Sequence, residues 1–365
     1  MSVISFARGI PGPDLLPIAE FGDCAVAALA RDGATALNYG PPSGYPPLRE
    51  WIAERHGVAP GRVFVTNGSL QGFNFVARHY AGEGRRVFVE APCYDRSLNI
   101  LRRLGADAKG ITLADDGLDV EALATGLAEA GPAVVYTIPT FQNPSGRTLS
   151  LANRGRLLEL AREHGAIVFE DDPYGLLRFS GDPLPRLFDL AGGEDVIFLS
   201  SFSKTVAPGI RVGYLVVPED LAGAIEALVL ENYVSPAIFV QAALYEFLHR
   251  GRFDPNIDEI RAGLRARRDA MLAALERDFP PEATWNRPEG GYFLWVDLPP
   301  GVRGETLLAE ACEDGVTFVS GSEFYLDAGG EEAVRLAFSY ATTAEIEEGI
   351  ARLGRLVREE SPVPA

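Results

Sequence analysis

One lysine, Lys204, stands in the segment SSFSKTVAPGIRVGY (200–214), framed by Ser201, Ser203 and Arg211. A loop lysine is ordinarily a solvated surface group. Here hydroxyls and a guanidinium surround it, a set suited to holding a phosphate, while nearby positive charge and partial burial would depress the amine pKa and leave a nucleophile. FEDDPYG (169–175) places Asp171 and Asp172 at the end of an apolar run. A carboxylate turned inward there is costly unless it meets a positive charge or shares a proton, and the protonated ring nitrogen of a cofactor would supply that charge. The plainer alternative is a helix cap. TNGSLQG (66–72) ends another apolar run and opens a helical one, so Ser69 and the adjacent backbone N–H groups are either a phosphate cradle at a positive helix end or an ordinary N-cap. PTFQNPSGR (139–147) adds the amide of Asn143 beside a turn. Neither G-x-G-x-x-G nor G-x-x-x-x-G-K-[ST] occurs, so a small phosphorylated aldehyde fits better than a dinucleotide or a nucleoside triphosphate.

The elements that must position these residues are short apolar, β-branched runs at 63–66, 86–90, 133–139, 166–171, 196–201 and 212–217. Such runs, separated by stretches of helical periodicity like 151–164, describe strands buried on both faces of a mostly parallel sheet. Lys204 and Asp171 then fall at carboxyl ends of strands, where ligands of open α/β sheets bind. About a dozen residues separate the last two runs, too few for a crossover helix, so the final strand is expected to be antiparallel. Beyond it come helices at 220–233 and 238–250 and a helical pattern over 256–279. Strand candidates at 291–298, 316–320 and 333–339 then interleave with helices at 305–313 and 343–358, which reads as a smaller α+β unit. The first forty residues carry one helix, 18–32, and are expected to pack on that unit.

The chain has 365 residues, a net charge of −18, 47% hydrophobic and 23% charged residues, which describes a globular protein with a large core. That acidity argues against nucleic acid as a partner, which requires clustered Lys and Arg. No apolar run reaches membrane-spanning length and the N-terminus has no signal-peptide pattern, so a cytoplasmic location is expected. Cys24, Cys93 and Cys312 make neither a disulfide framework nor a C-x-x-C pair, and His56, His79, His164 and His249 have no metal-ligand spacing, so no metal is expected.

Taken in order, these segments resemble the fold type I pyridoxal 5′-phosphate (PLP) enzymes, specifically the class I/II aminotransferases. SFSKTVAPGIRVGY and EDDPY are most similar to the branch containing 2-aminoadipate aminotransferases and the catalytic-like domain of MocR-type regulators. The likeness runs from NYGPPSGYPPLREWI at Asn38 to RLAFSY ending at Tyr340. It implies an α/β fold with a large PLP-binding domain (40–255) built on a mostly parallel seven-stranded sheet between helices, and a small α+β domain made of 1–39 with 256–365. Lys204 would be the Schiff-base lysine and proton shuttle, and Asp171 the partner of the pyridine nitrogen. Asn143 and Tyr174 would bind the phenolic oxygen. Tyr94, in EAPCYD, would stack on the ring. Ser69, Leu70, Ser201, Ser203 and Arg211 would hold the phosphate. Arg335, inside the apolar run RLAFSY, would grip the substrate α-carboxylate, with Asn143 and Gly9 also at the substrate. Cys93 stands where the family more often has serine. Pro92 and Pro144 match positions that often follow cis peptide bonds. Tyr39, in NYGPPSG, matches a tyrosine that reaches the neighbouring subunit's phosphate in a homodimer with shared active sites.

The activity so implied is two-step transfer of an amino group from an L-amino acid to a 2-oxo acid, with 2-oxoglutarate as acceptor. A C–S lyase or a decarboxylase on the same cofactor is the alternative, since substrate contacts choose the bond that breaks. A ligand-sensing module like that of the MocR regulators is a third; the start of the chain directly in the catalytic fold, without a helix-turn-helix segment, speaks against it.

Overall fold

The computed structural model of the protein describes residues 3–361. Its main sheet has eight strands in the spatial order Val63–Thr66, Gly213–Val216, Val196–Ser201, Ile167–Asp171, Ala133–Thr137, Arg86–Ala91, Ala108–Ala114 and Gly117–Leu118. The four strands from Val196–Ser201 to Arg86–Ala91 pair in parallel, and Gly213–Val216 is antiparallel to both of its neighbours, as the short connection requires. The strand beyond the expected set, Gly117–Leu118, is a two-residue hairpin partner of Ala108–Ala114 at the sheet edge. Ala108–Ala114 itself carries no apolar run: next to the sheet edge, only Ile111 of its seven residues is buried, so the strand is under little demand to be hydrophobic.

Successive residues of the central strands point to opposite faces, and each face has its own core. Val134, Tyr136, Phe169, Ile197 and Leu199 enter one cluster; Val135, Val168, Val196 and Phe198 enter the other. This is the physical origin of the unbroken apolar runs: with helices on both faces no position of the strand is left to water.

A second, antiparallel sheet contains Thr284–Trp285, Phe293–Asp297, Ala333–Ala337 and Val319–Ser320. Helices Phe253–Asp278 and Thr343–Glu360 pack against each other beside it. The apolar run 316–320 is divided at Phe318. Val316–Thr317 pairs in parallel with Ile4–Ser5, while Val319–Ser320 pairs with Arg335 and Val334. The N-terminal segment is likewise shared. Ile4–Ser5 joins the small-sheet side, but the helix Ile18–Ala36 packs on Ile238–His249 and buries Cys24, Ala28 and Ala36 in the core of the large sheet. The expectation that residues 1–39 pack as one piece on the smaller unit is corrected on this point.

Candidate active site

At the carboxyl ends of the parallel strands lies a cavity of about 600 Å³. Twelve of the residues singled out from the sequence line it: Gly9, Ser69, Leu70, Tyr94, Asn143, Asp171, Tyr174, Ser201, Ser203, Lys204, Arg211 and Arg335. Tyr39 does not. It is 81% exposed, which excludes a place in its own subunit's core.

Asp171 is the last residue of its strand and is buried. The Tyr136 hydroxyl donates to its Oδ2 at 2.8 Å, and Ser97 Oγ lies 3.1 Å from that same hydroxyl. Oδ1 has no partner. Burial raises the Asp171 pKa to about 7, against the lowering effect of the Tyr136 hydrogen bond. A buried carboxyl left half satisfied in this way is paired or neutral in a stable protein, and its free Oδ1 can accept a cationic N–H.

Lys204 follows the strand Val196–Ser201 by three residues. Its Nζ donates to the Gly9 carbonyl and lies 5.9 Å and 5.4 Å from the ring centroids of Tyr174 and Tyr292. Burial, then the positive charges of Arg335 and Arg211, lower its pKa to about 8. An appreciable fraction is therefore free amine near neutral pH.

The anion cradle is built where the helix Ser69–Gly82 begins. Gly68, at φ +83°, precedes it, and a Cβ there would lie 2.2 Å from Arg211 Nη2. Arg211 Nη1 is 3.4 Å from Ser203 Oγ, and the Ser203 N–H donates to Ser201 Oγ at 3.1 Å. Two hydroxyls, a guanidinium and a positive helix end thus meet in one corner, the chemistry of a phosphate site.

Arg335 is buried between the rings of Phe293 and Phe324, 4.4 Å and 5.0 Å from their centroids. Nη1 donates to Asn143 Oδ1 at 3.0 Å and Nη2 to the Ala7 carbonyl at 2.7 Å; Nε has no partner. Burial lowers its pKa to about 10, which leaves it charged. Since Asn143 Oδ1 is taken by Arg335, the Asn143 amide is oriented to present its N–H₂ as a donor. Tyr94 and Asn143 both sit just beyond cis peptide bonds or within one, Ala91–Pro92 and Asn143–Pro144.

Tyr136, Phe293 and Phe324 support these groups without belonging to a motif, and Glu90 and Gln142 support them from within EAPCYD and PTFQNPSGR without having been singled out. The only sequence signal was polarity out of place: a tyrosine in the apolar run 133–139 and a glutamate closing the run 86–90.

Residues 19–353 match the family model for aminotransferase class I and II. The chain belongs to this family. It is 38% identical over 98% of its length to the 2-aminoadipate transaminase of Thermus thermophilus, of which the match covers 90%. Identity is 36%, over 98% of this chain and 88% of the relative, to aromatic-amino-acid aminotransferase 1 of Thermococcus litoralis. Among solved structures, the α-aminoadipate aminotransferase of Thermus thermophilus, complexed with N-(5′-phosphopyridoxyl)-L-leucine, superposes with a TM-score of 0.94 at 37% identity, covering 98% of this chain and 92% of that one. The fold is therefore that of the fold type I PLP aminotransferases. This aminotransferase's own donor set fits the cofactor: an orphaned carboxylate oxygen for a pyridine N–H, an amide and a phenol (Asn143 and Tyr174) for a phenolic oxygen, an anion corner for the phosphate, and a low-pKa amine for the aldehyde.

Among the described residues no helix is long and apolar enough to cross a membrane, and no group of three His, Cys, Asp or Glu is arranged to hold a metal ion.

Proposed function

We infer that the protein is a PLP-dependent aminotransferase that moves the amino group of an L-amino acid to a 2-oxo acid, with 2-oxoglutarate as acceptor, in two half-reactions at one site. The observation that carries this reading is Arg335. Its unpartnered, buried Nε shares the cavity with Lys204 and Asp171. A carboxylate gripped there stays on the substrate, which favours exchange of the amino group over decarboxylation.

Bound PLP supplies an aldehyde that takes up the amino group and a ring that withdraws the electron pair left on the substrate α-carbon. Asp171 Oδ1 holds the proton on the ring nitrogen, with Tyr136 fixing the carboxylate through Oδ2. The Asn143 amide and Tyr174 hydroxyl donate to the phenolic oxygen, and Tyr94 covers a ring face. Ser69, the Leu70 backbone, Ser201, Ser203 and Arg211 hold the phosphate. Lys204 would hold the aldehyde carbon at rest, and its free amine would carry the proton between the substrate α-carbon and the cofactor carbon that had been the aldehyde. Arg335 fixes the α-carboxylate, so that both the amino donor and the oxo acceptor are read by the same contact. Gly9 keeps the N-terminal segment close: a Cβ there would lie 2.6 Å from Phe293.

Apolar walls from Ile10, Val319, Phe293 and Phe324 support aromatic and branched-chain donors beside 2-aminoadipate. We assign the protein to the cytoplasm as a homodimer in which Tyr39 serves the partner's phosphate site, with 40–255 as the cofactor-binding domain. The deciding assay supplies a panel of amino acids with 2-oxoglutarate and measures glutamate against pyruvate, sulfide and carbon dioxide. Glutamate formation supports the reading; release of the other products without glutamate replaces it with lyase or decarboxylase chemistry.

A further inference from the structure

Glu90 precedes by four residues Tyr94, on one loop, Gln142 immediately precedes Asn143, on the other, and the two bond to each other. Glu90 is 3% exposed. Its Oε1 accepts from Thr137 Oγ1 at 2.5 Å and from the Ile138 N–H at 3.2 Å; its Oε2 accepts from that same N–H at 3.2 Å and from Gln142 Nε2 at 3.0 Å. Gln142 Nε2 uses its other hydrogen on the Pro92 carbonyl at 2.8 Å, and Gln142 Oε1 accepts the Ser145 N–H at 2.8 Å. Every polar atom of the Gln142 side chain is therefore engaged, and the amide can sit in one orientation only. Pro92 and Ser145 belong to the two loops that carry Tyr94 and Asn143, so one amide ties both loops to one buried carboxylate.

We propose that the Glu90–Gln142 pair is a positioning device for catalysis, clamping the two loops to each other so that Tyr94 and Asn143 are held in fixed relation around the cofactor ring. Neither residue lines the cavity, so both act only through the loops. The proposal rests on the assignment of Tyr94 and Asn143 to the cofactor given above. Its energetic logic is that a buried carboxylate accepting only from donors anchors more firmly than neutral contacts, at the cost of desolvation. Burial accordingly pushes the Glu90 pKa up to about 7. Asn143 also takes a hydrogen bond from Arg335, so the clamp reaches the carboxylate grip as well.

The test compares Glu90→Gln, Gln142→Leu, the double variant and Asn143→Ala, each prepared as PLP-loaded holoenzyme and as apoenzyme. Four quantities are read: kcat and KM, the pH midpoint of the bound cofactor's visible absorbance, the PLP dissociation constant and the melting temperature of the apoenzyme. Each single clamp variant is expected to lose roughly tenfold to a hundredfold in kcat, the scale set by misplacing a reacting geometry by about an ångström. Its absorbance midpoint should move in the direction seen for Asn143→Ala, and the double variant should lose less than the product of the two singles, because they share the Glu90–Gln142 contact. Lowered apoenzyme melting with kcat per bound cofactor and absorbance midpoint unchanged would show a purely structural role and overturn the proposal. Multiplying losses in the double variant would overturn it too. If Asn143→Ala is impaired while both clamp variants match the wild type, the clamp fails alone; if Asn143→Ala is itself silent, the assignment of Asn143 fails and takes the clamp with it. Gln142→Leu leaves Glu90 in place, so the comparison survives if Glu90→Gln does not fold.

Discussion

Tyr136 donates to one oxygen of Asp171 and leaves the other bare. The two residues come from adjacent parallel strands and both are buried, so no water competes for the contact. Tyr136→Phe removes the hydrogen bond that opposes the burial effect, and the Asp171 pKa should rise further above its usual range. A hydrogen bond to a charged group is worth about 1.5–3 kcal/mol. PLP affinity measured by titrating the apoenzyme at neutral pH should therefore fall by about tenfold or more; an unchanged dissociation constant would remove Tyr136 from the site.

Asp171 also fixes a pH dependence. Its folded pKa, about 7, lies above the unfolded value near 3.8, so the folded apoenzyme binds more protons between those limits and this group's contribution to stability is lost as pH rises from about 4 to about 7. A cationic N–H at Oδ1 lifts that penalty. The melting-temperature gap between holoenzyme and apoenzyme should widen across this interval more in the wild type than in Asp171→Asn. Parallel gaps in the two proteins would sink the ring-nitrogen assignment.

Lys204 titrates in the opposite sense. Positive charge at Arg335 helps to hold its pKa down at about 8, so the rate at which apoenzyme captures PLP should climb with pH through a midpoint near that value. Arg335→Gln should move the midpoint upward, besides raising KM for every amino and oxo acid that shares the carboxylate. A midpoint that stays put in Arg335→Gln would show that Arg335 does not hold the lysine down, leaving burial and Arg211 to do so.

Gly213 lies under the phosphate corner, and a Cβ on it would sit 2.3 Å from the Ser69 backbone nitrogen. Backbone cannot rotate away as a side chain can. Gly213→Ala is expected to cost about 1–3 kcal/mol of stability, on the scale of overpacked sites, and to weaken PLP binding because Ser69 opens the helix of the cradle. Calorimetry and PLP titration check the two effects, and wild-type values in both would refute the close approach.

Tyr39 is exposed in the single chain, which suits service to a neighbour. A Lys204→Ala chain and a chain with an inactivating Tyr39 substitution, each nearly dead alone, should recover part of the wild-type activity when combined, since one hybrid site would then hold intact copies of both residues. A verified heterodimer without recovery would exclude shared sites.

Local sequence carried much of this molecule. Strands buried on both faces must be continuously apolar, which is why Val196–Ser201 and Ile167–Asp171 could be read directly, along with the chemistry parked at their carboxyl ends in Lys204 and Asp171. The antiparallel strand Gly213–Val216 followed from a chain too short to cross over. Ser69 and Asn143 were also legible beside strand ends, whereas Tyr94, Tyr174, Leu70, Gly9 and Arg335 were reached only through the resemblance to the aminotransferase family. What stayed hidden depends on contacts between segments far apart in the chain. Tyr136 and Asp171 are 35 residues apart, Gln142 and Glu90 are 52 apart, and Arg335 meets Asn143 across 192. No periodicity records which donor meets which acceptor. Likewise, the helix Ile18–Ala36 shows the pattern of a half-buried helix but not which neighbour covers it, and only the packed chain places it on Ile238–His249. Sequence determined which groups are available for chemistry, since a side chain's chemistry is intrinsic; tertiary structure decided which of their lone pairs and protons remain free, since that depends on every other group folded against them.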